Sequence, residues 1–200
     1  DRMLKGAGMS RSQMLVYNVF VQRPPNNNIG YFYKDARKSV LTEEGQEHVL
    51  SLQAWLEGLL ERRRRTGEGP NVLVALGATA MKHLTGKRRI KKWRGSVLEC
   101  VLVPGFKVYC AFHPSYVQRL LNEREEYMDA IKKRQRENVL PIAINDFRRI
   151  AEQAEFPEIR RPERELVICQ SSGEAIERLR QLECERAIAV DIETLPGEGG

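Results

Sequence analysis

Cysteine, histidine, aromatic residues and long apolar runs are all scarce in this chain of 200 residues. The four cysteines, Cys100, Cys110, Cys169 and Cys184, form no C-x-x-C pair. That spacing argues against a compact metal knuckle and against a disulfide framework, and fits reduced thiols in an intracellular, cytoplasmic protein. No apolar run approaches the roughly 18 residues that a membrane span needs, and no signal peptide is visible. Acidic residues are outnumbered, 27 against 33 Lys and Arg, which leaves a net charge of +6. Such a balance favours polyanions or an anionic membrane surface without choosing between them. Internal repeats and low-complexity tracts are lacking too. The chain starts at Asp1 and not at a methionine, so residues upstream are expected.

What is present is an apolar fraction of 42%, enough for a real core. Residues 14–21, "MLVYNVFV", read as a strand, and "QRPPNNNIG" as the loop that follows it. Thr42 with Glu43 and Glu44 opens a helix, since a hydroxyl caps and acids suit the first turn. Val49, Leu52, Leu56, Leu59 and Leu60 then recur at helical spacing up to "ERRRR". "NVLVAL" reads as a strand buried on both faces, ended by Gly77 and followed by the helical "ATAMKHL". "SVLECVLV" and "KVYCAF" read as two further strands about Pro104-Gly105. Beyond His113 the chain turns helical and charged to about Asn138, and "INDFRRIAEQAEF" reads as a separate amphipathic helix.

Strands alternating with helices predict a three-layer α/β/α fold with a mostly parallel central sheet. In such sheets ligands sit outside the carboxyl ends of strands, where Asn18, Gly77 and His113 are expected. The stretch "YCAFHPSYVQR" is then either a strand running into an ordinary turn or a histidine held beside a ligand. The run "KHLTGKRRIKKWRG", with Lys87, Arg88, Arg89, Lys91, Lys92 and Arg94, is either a solvated face or a phosphate-binding patch. Residues 157–164 read as a linker between a domain over 1–156 and the start of another over 165–200. There "LVICQ", "GEAIERLRQLE" and "AIAVDIETL" read as strand, helix and strand.

Four segments in order, "YNVFVQRPPNNN", "NVLVALGATAMKHLTG", "IKKWRGSV" and "VYCAFHPSYVQR", resemble the uracil-DNA glycosylase superfamily, in its family-four type. The resemblance covers roughly residues 1–150 and implies DNA as partner. It makes Asn18 the amide that reads the uracil edge, the alternative being a cap for the loop before Pro24-Pro25. It makes His113 the donor to the oxygen that gains charge as the base leaves. Gly77 and Ala78 would hold a phosphate on backbone N–H groups, or simply make a tight turn. Ser115 would line the pocket. Tyr116, Val117 and Arg119 would enter the minor groove, or form the first turn of a helix.

The resemblance also implies an iron–sulfur cluster on four cysteines. Gln22 stands where one of these precedes R-P-P, and "HVLSLQAWL" lacks another, so the cluster is expected to be absent. The family's first motif, which supplies a water-activating group and a uracil-stacking aromatic, is expected before Asp1.

"AIAVDIET" resembles the first motif of the DEDD 3′–5′ exonucleases, whose fold is ribonuclease H-like. Alternation puts Asp191 and Glu193 on one face of a strand, where they would hold Mg2+ or Mn2+, unless they are only a solvated acidic end. A glycosylase-like domain ahead of an exonuclease start resembles bacteriophage-type family-A DNA polymerases. That implies a polymerase polypeptide working on single-stranded or primer–template DNA with other replication proteins. The alternatives are a non-catalytic DNA-binding module that keeps the glycosylase fold, and a free-standing glycosylase–exonuclease fusion.

Overall fold

The computed structural model describes residues 2–123, 129–161 and 167–182. The chain divides between Arg160 and Arg161 into two units. In the second, α7 (Ser172–Gln181) is capped by Ser171, whose hydroxyl accepts from Glu174 N. Residues 167–170 are not the expected strand, and Asp191 and Glu193 lie outside the described residues.

The first unit begins with α1 (Arg2–Gly6) and short 3-10 turns, including Pro25–Asn27 and Ile29–Phe32. Next come α2 (Glu43–Thr66), β1 (Val72–Leu76), α3 (Ala78–Thr85), α4 (Ile90–Trp93), β2 (Val97–Glu99), β3 (Lys107–Ala111), α5 (Pro114–Asn122) and α6 (Ala130–Ala154). α2 forms as its sequence predicts. The Thr42 hydroxyl accepts from Gly45 N at 3.1 Å, Leu52, Leu56 and Leu60 line its buried stripe, and Gly67 ends it in the left-handed region.

Among the described residues the sheet has three strands, in the order β1-β3-β2. β1 runs parallel to β3, with Leu76 opposite Ala111, and β2 runs antiparallel to β3. This is a small mixed sheet, and not the mostly parallel one expected. The reason is local. Residues 97–111 form a tight corner at Pro104-Gly105 that returns β3 directly against β2 with no crossover helix. β2 also stops early, because Val101 N leaves the ladder for the carbonyl of Leu84 at 2.7 Å.

Strand alternation divides the core into two layers. Val108 and Cys110 of β3 join Leu56, Leu60, Met81 and Leu84 of α2 and α3. Tyr109 and Ala111 join Phe147 and Ile150 of α6. Helices therefore cover both faces of an α/β sheet. β3 is buried along its whole length, including Lys107, whose ammonium donates to the Glu158 carbonyl at 3.0 Å and lies 3.7 Å from the Phe156 ring centre.

Two further expectations fail. Residues 14–21 pair with no strand among the described residues, and the chain bends from Val19 onward. Their side chains pack instead. Tyr17 stacks on Trp55 at 4.5 Å and Phe20 on Phe32 at 4.3 Å, while Leu15 and Val16 stay exposed. And α6 is one continuous helix through Pro141, not two. Burial of Val139, Ala143, Phe147 and Ile150 on both sides of the proline offsets the backbone bond it deletes. Among the described residues no helix is long and apolar enough to cross a membrane.

Candidate active site

The carboxyl end of β3 feeds straight into the candidate site. After Ala111 come Phe112 and His113, and Pro114 stands at the first position of α5, where its missing N–H matters least. His113 is the N-cap (φ −66°, ψ 135°). Its Nδ1 accepts the backbone N–H of Ser115 at 3.1 Å and lies 2.7 Å from the Ser115 hydroxyl. A backbone N–H can only donate, so Nδ1 carries its lone pair, and the hydroxyl also acts as donor toward it. The proton of the neutral ring therefore sits on Nε2. Burial, and then the nearby Arg119 guanidinium, lower the His113 pKa from its ordinary value, which favours that neutral ring. The result is an exposed residue whose Nε2–H is a donor fixed in direction by a helix cap.

Gly77 lies against this histidine. It ends β1 with φ +89°, and a Cβ placed on it would meet the His113 Cβ at 3.0 Å. Its N–H donates to the Ala111 carbonyl at 2.9 Å, extending the parallel ladder. That N–H is thus occupied and cannot cradle a phosphate as expected. Ala78 follows, exposed at the start of α3. Ser115 and Arg119 border a shallow open depression on α5 with Gln118 and Asn122.

The other expected site residues divide. Asn18 is exposed in this unpaired segment, not at a strand's end, and among the described residues no hydrogen bond fixes its side chain to the His113 site. Tyr116 is half-buried with its ring 5.0 Å from Phe112, and Val117 is a core residue packed with Leu120, Val139 and Ala143. Both are held by α5 packing, as the ordinary helical turn would require, and do not project as a wedge.

In the basic run, Lys87, Arg89, Lys91 and Lys92 are exposed, and Lys87 and Lys92 flank the Trp93 ring at 5.2 and 5.6 Å. Arg88 donates to the Arg37 carbonyl and the Ser39 hydroxyl. Arg94 departs from the expectation of a phosphate contact. Its guanidinium pairs at 2.8 Å with Asp146, whose side chain is 1% exposed, and lies 5.7 Å from the Phe112 ring centre. The Tyr109 hydroxyl donates to the same carboxylate at 3.3 Å.

Sequence reasoning missed this Asp146 anchor and the hydrogen bond that fixes the tautomer. The first leaves no sequence signal, because an acid inside an amphipathic helix normally faces water. The second was readable: His-Pro-Ser before an apolar period is a helix start, and an N-cap side chain accepts from the second or third helical N–H.

The described residues do not suit a four-cysteine iron–sulfur cluster. Cys100 and Cys110 are buried in the apolar layer beneath α2 and α3, and burial raises both thiol pKa values, that of Cys110 to about 11. Gln22 is exposed. The positions around Gln22 and α2 are held by an aromatic cluster of Phe20, Phe32 and Tyr33 with His48 and His83.

Residues 1–134 match the sequence model of the Uracil DNA glycosylase superfamily. The chain is also 30% identical over 119 residues to a Type-4 uracil-DNA glycosylase of Thermotoga maritima, an overlap covering 58% of this chain and 51% of that protein. It thus spans about half the length of that curated relative. No solved structure matches it. Since the superfamily match takes in residues 1–134 of 200, including the histidine-capped strand end, the chain belongs to the uracil-DNA glycosylase superfamily.

Proposed function

We propose that this domain binds DNA and receives an extrahelical uracil at the β3–α5 junction, with His113 as its electrophilic donor. The observation that carries the reading is the Ser115 N–H bond to His113 Nδ1. It leaves Nε2–H as the donor of a neutral ring on an exposed residue. When the glycosidic bond breaks, its electron pair stays with the base and negative charge spreads to the pyrimidine oxygens. A donor already in place stabilises that charge without reorganising, whereas a freely rotating histidine would not. Arg119 adds positive potential beside the ring. Asn18 is the proposed edge reader, and its exposed loop would have to close over the base. Lys87, Arg89, Lys91 and Lys92 supply phosphate contacts.

The test uses a uracil-bearing oligonucleotide and the complete protein. His113→Ala should reduce uracil release by about a hundred- to a thousandfold, the usual effect of losing one such donor, and leave DNA affinity unchanged. If the wild-type protein binds the strand but releases no uracil, the domain is a DNA-binding module that retains the fold alone.

The segment "AIAVDIET" favours a wider context. In it Asp191 and Glu193 open a proofreading exonuclease with Mg2+ or Mn2+, within a DNA polymerase polypeptide. Asp191→Ala in the complete protein should abolish 3′–5′ degradation. Full degradation by that variant would contradict this context.

A further inference from the structure

The basic run beyond α3 does not stand alone. A second segment, distant in sequence, is held against it. Residues 33–41 form a small hairpin closed by the Tyr33–Leu41 bridge and by Lys34 N to the Val40 carbonyl at 2.9 Å. Asp35 shapes its tip, accepting the N–H groups of both Ser39 and Val40 at 2.7 Å. Lys38 takes the left-handed conformation, φ +54°, a position that β-turns usually give to glycine or asparagine.

Two side chains then clamp this tip to the neighbouring elements. Lys82 of α3 donates to the Lys38 carbonyl and lies 4.4 Å from the Tyr33 ring centre. Arg88 spans the Arg37 carbonyl at 3.1 Å and the Ser39 hydroxyl at 3.0 Å. Cations are thus gathered next to cations. Arg37 is exposed and Lys38 half-buried beside Arg88, and the nearby carboxylate, Asp35, is engaged by two backbone donors. Among the described residues no salt bridge neutralises Arg37, Lys38, Arg88 or Arg89. The Lys82 ammonium registers the crowding, since burial and then Arg88 lower its pKa, Asp35 opposes them, and Lys38 adds a smaller lowering.

Like charges held together by hydrogen bonds to carbonyls, with Asp35 the carboxylate that partly offsets Lys82, are costly in the free protein and are relieved by a polyanion. We infer that the 33–41 hairpin is a phosphate-binding arm for the nucleic-acid backbone, presenting Arg37 and Lys38 as one surface with the Lys87–Arg89 turn. The arm rests on the DNA-binding reading above and extends its footprint to a segment outside the motif residues. Its ligand is the sugar–phosphate chain and not a base, because the clamp fixes backbone groups and leaves the Arg37 side chain exposed beside the half-buried Lys38. Contacts of that kind carry affinity and salt dependence without sequence preference.

The test measures binding of a labelled single strand and of its duplex across a salt series, for the wild type, Arg37→Gln/Lys38→Gln and Lys91→Ala/Lys92→Ala. Both double variants should lower the slope of log affinity against log salt, by about one to two units each. A lowered slope for Lys91/Lys92 with an unchanged slope for Arg37/Lys38 would overturn the arm and leave the DNA-binding reading intact. Absence of wild-type binding would overturn both. A second measurement needs no variant. Amine acetylation of wild-type protein should modify Lys38 more slowly when the strand is bound, and equal modification with and without DNA would contradict the arm.

Discussion

At the scale of single residues, the proposed chemistry depends on where one proton sits. The His113 ring is held by Ser115 through its Nδ1, so protonating that nitrogen would break the cap as well as charge the ring. With its pKa lowered by burial and Arg119, the neutral donor should survive below the ordinary histidine range. The acid limb of any uracil release should therefore lie below pH 6.5, the unperturbed value, and a rate profile falling at or above 6.5 would contradict this. Gly77→Ala should disturb the same residue from behind. The new methyl meets His113 Cβ at 3.0 Å on a backbone at φ +89°, and strain of this kind amounts to about 1–3 kcal/mol. A thermal melt should show that loss, with displaced His113 ring resonances. Much of this was legible beforehand: His-Pro-Ser after an apolar run located the histidine at a strand's end. The strand expected around Asn18 is absent for a physical reason. Its β-branched and aromatic neighbours suit a strand, but Tyr17 and Phe20 find rings to stack on and the backbone finds no ladder.

At the scale of elements, buried polar contacts fix the relation of helices to sheet. Arg94 precedes β2 and Asp146 lies on α6, so their ion pair ties the sheet's edge to the helix that covers it. Arg94→Ala leaves a buried carboxylate without its cation, a loss of about 3–5 kcal/mol in comparable buried pairs. Denaturant unfolding should register most of that change, and the salt slope of DNA binding should not move. α3 carries a second device. His83 bonds the Tyr33 hydroxyl at 2.8 Å, and burial, with help from Lys82, pushes its pKa down from 6.5 to about 4. The unfolded ring takes a proton near 6.5 and the folded ring only near 4, so folding expels a proton between those values. The stabilisation is complete above pH 6.5 and is lost as the pH falls toward 4. A melting-temperature series should fall across that window, and His83→Gln should flatten the fall relative to wild type. Helix α2 was readable from its cap and period. α6 was not, because Pro141 is a local stop signal and only burial on both sides of it, a tertiary fact, keeps the helix continuous.

At the scale of the whole molecule, the proposed phosphate contacts and the proposed donor occupy separate residues. Lys91 and Lys92 are exposed and should act on every DNA sequence alike, whereas His113 should act only where a base has left the stack. The excess of basic residues was visible in composition. Their division into exposed cations and cations spent on structural contacts was not, since Arg94 and Arg88 become distinct only when Asp146 and the 33–41 hairpin fold against them. The central claim is a neutral His113 whose Nε2–H waits for a pyrimidine oxygen. Long-range nitrogen–proton NMR of the His113 ring at pH 7, before and after adding a uracil-bearing strand, tests it most directly. The account predicts a ring protonated on Nε2 alone, with an Nε2–H resonance that shifts for the uracil strand and not for the same strand carrying cytosine. A proton on Nδ1, or identical responses to the two strands, would contradict it.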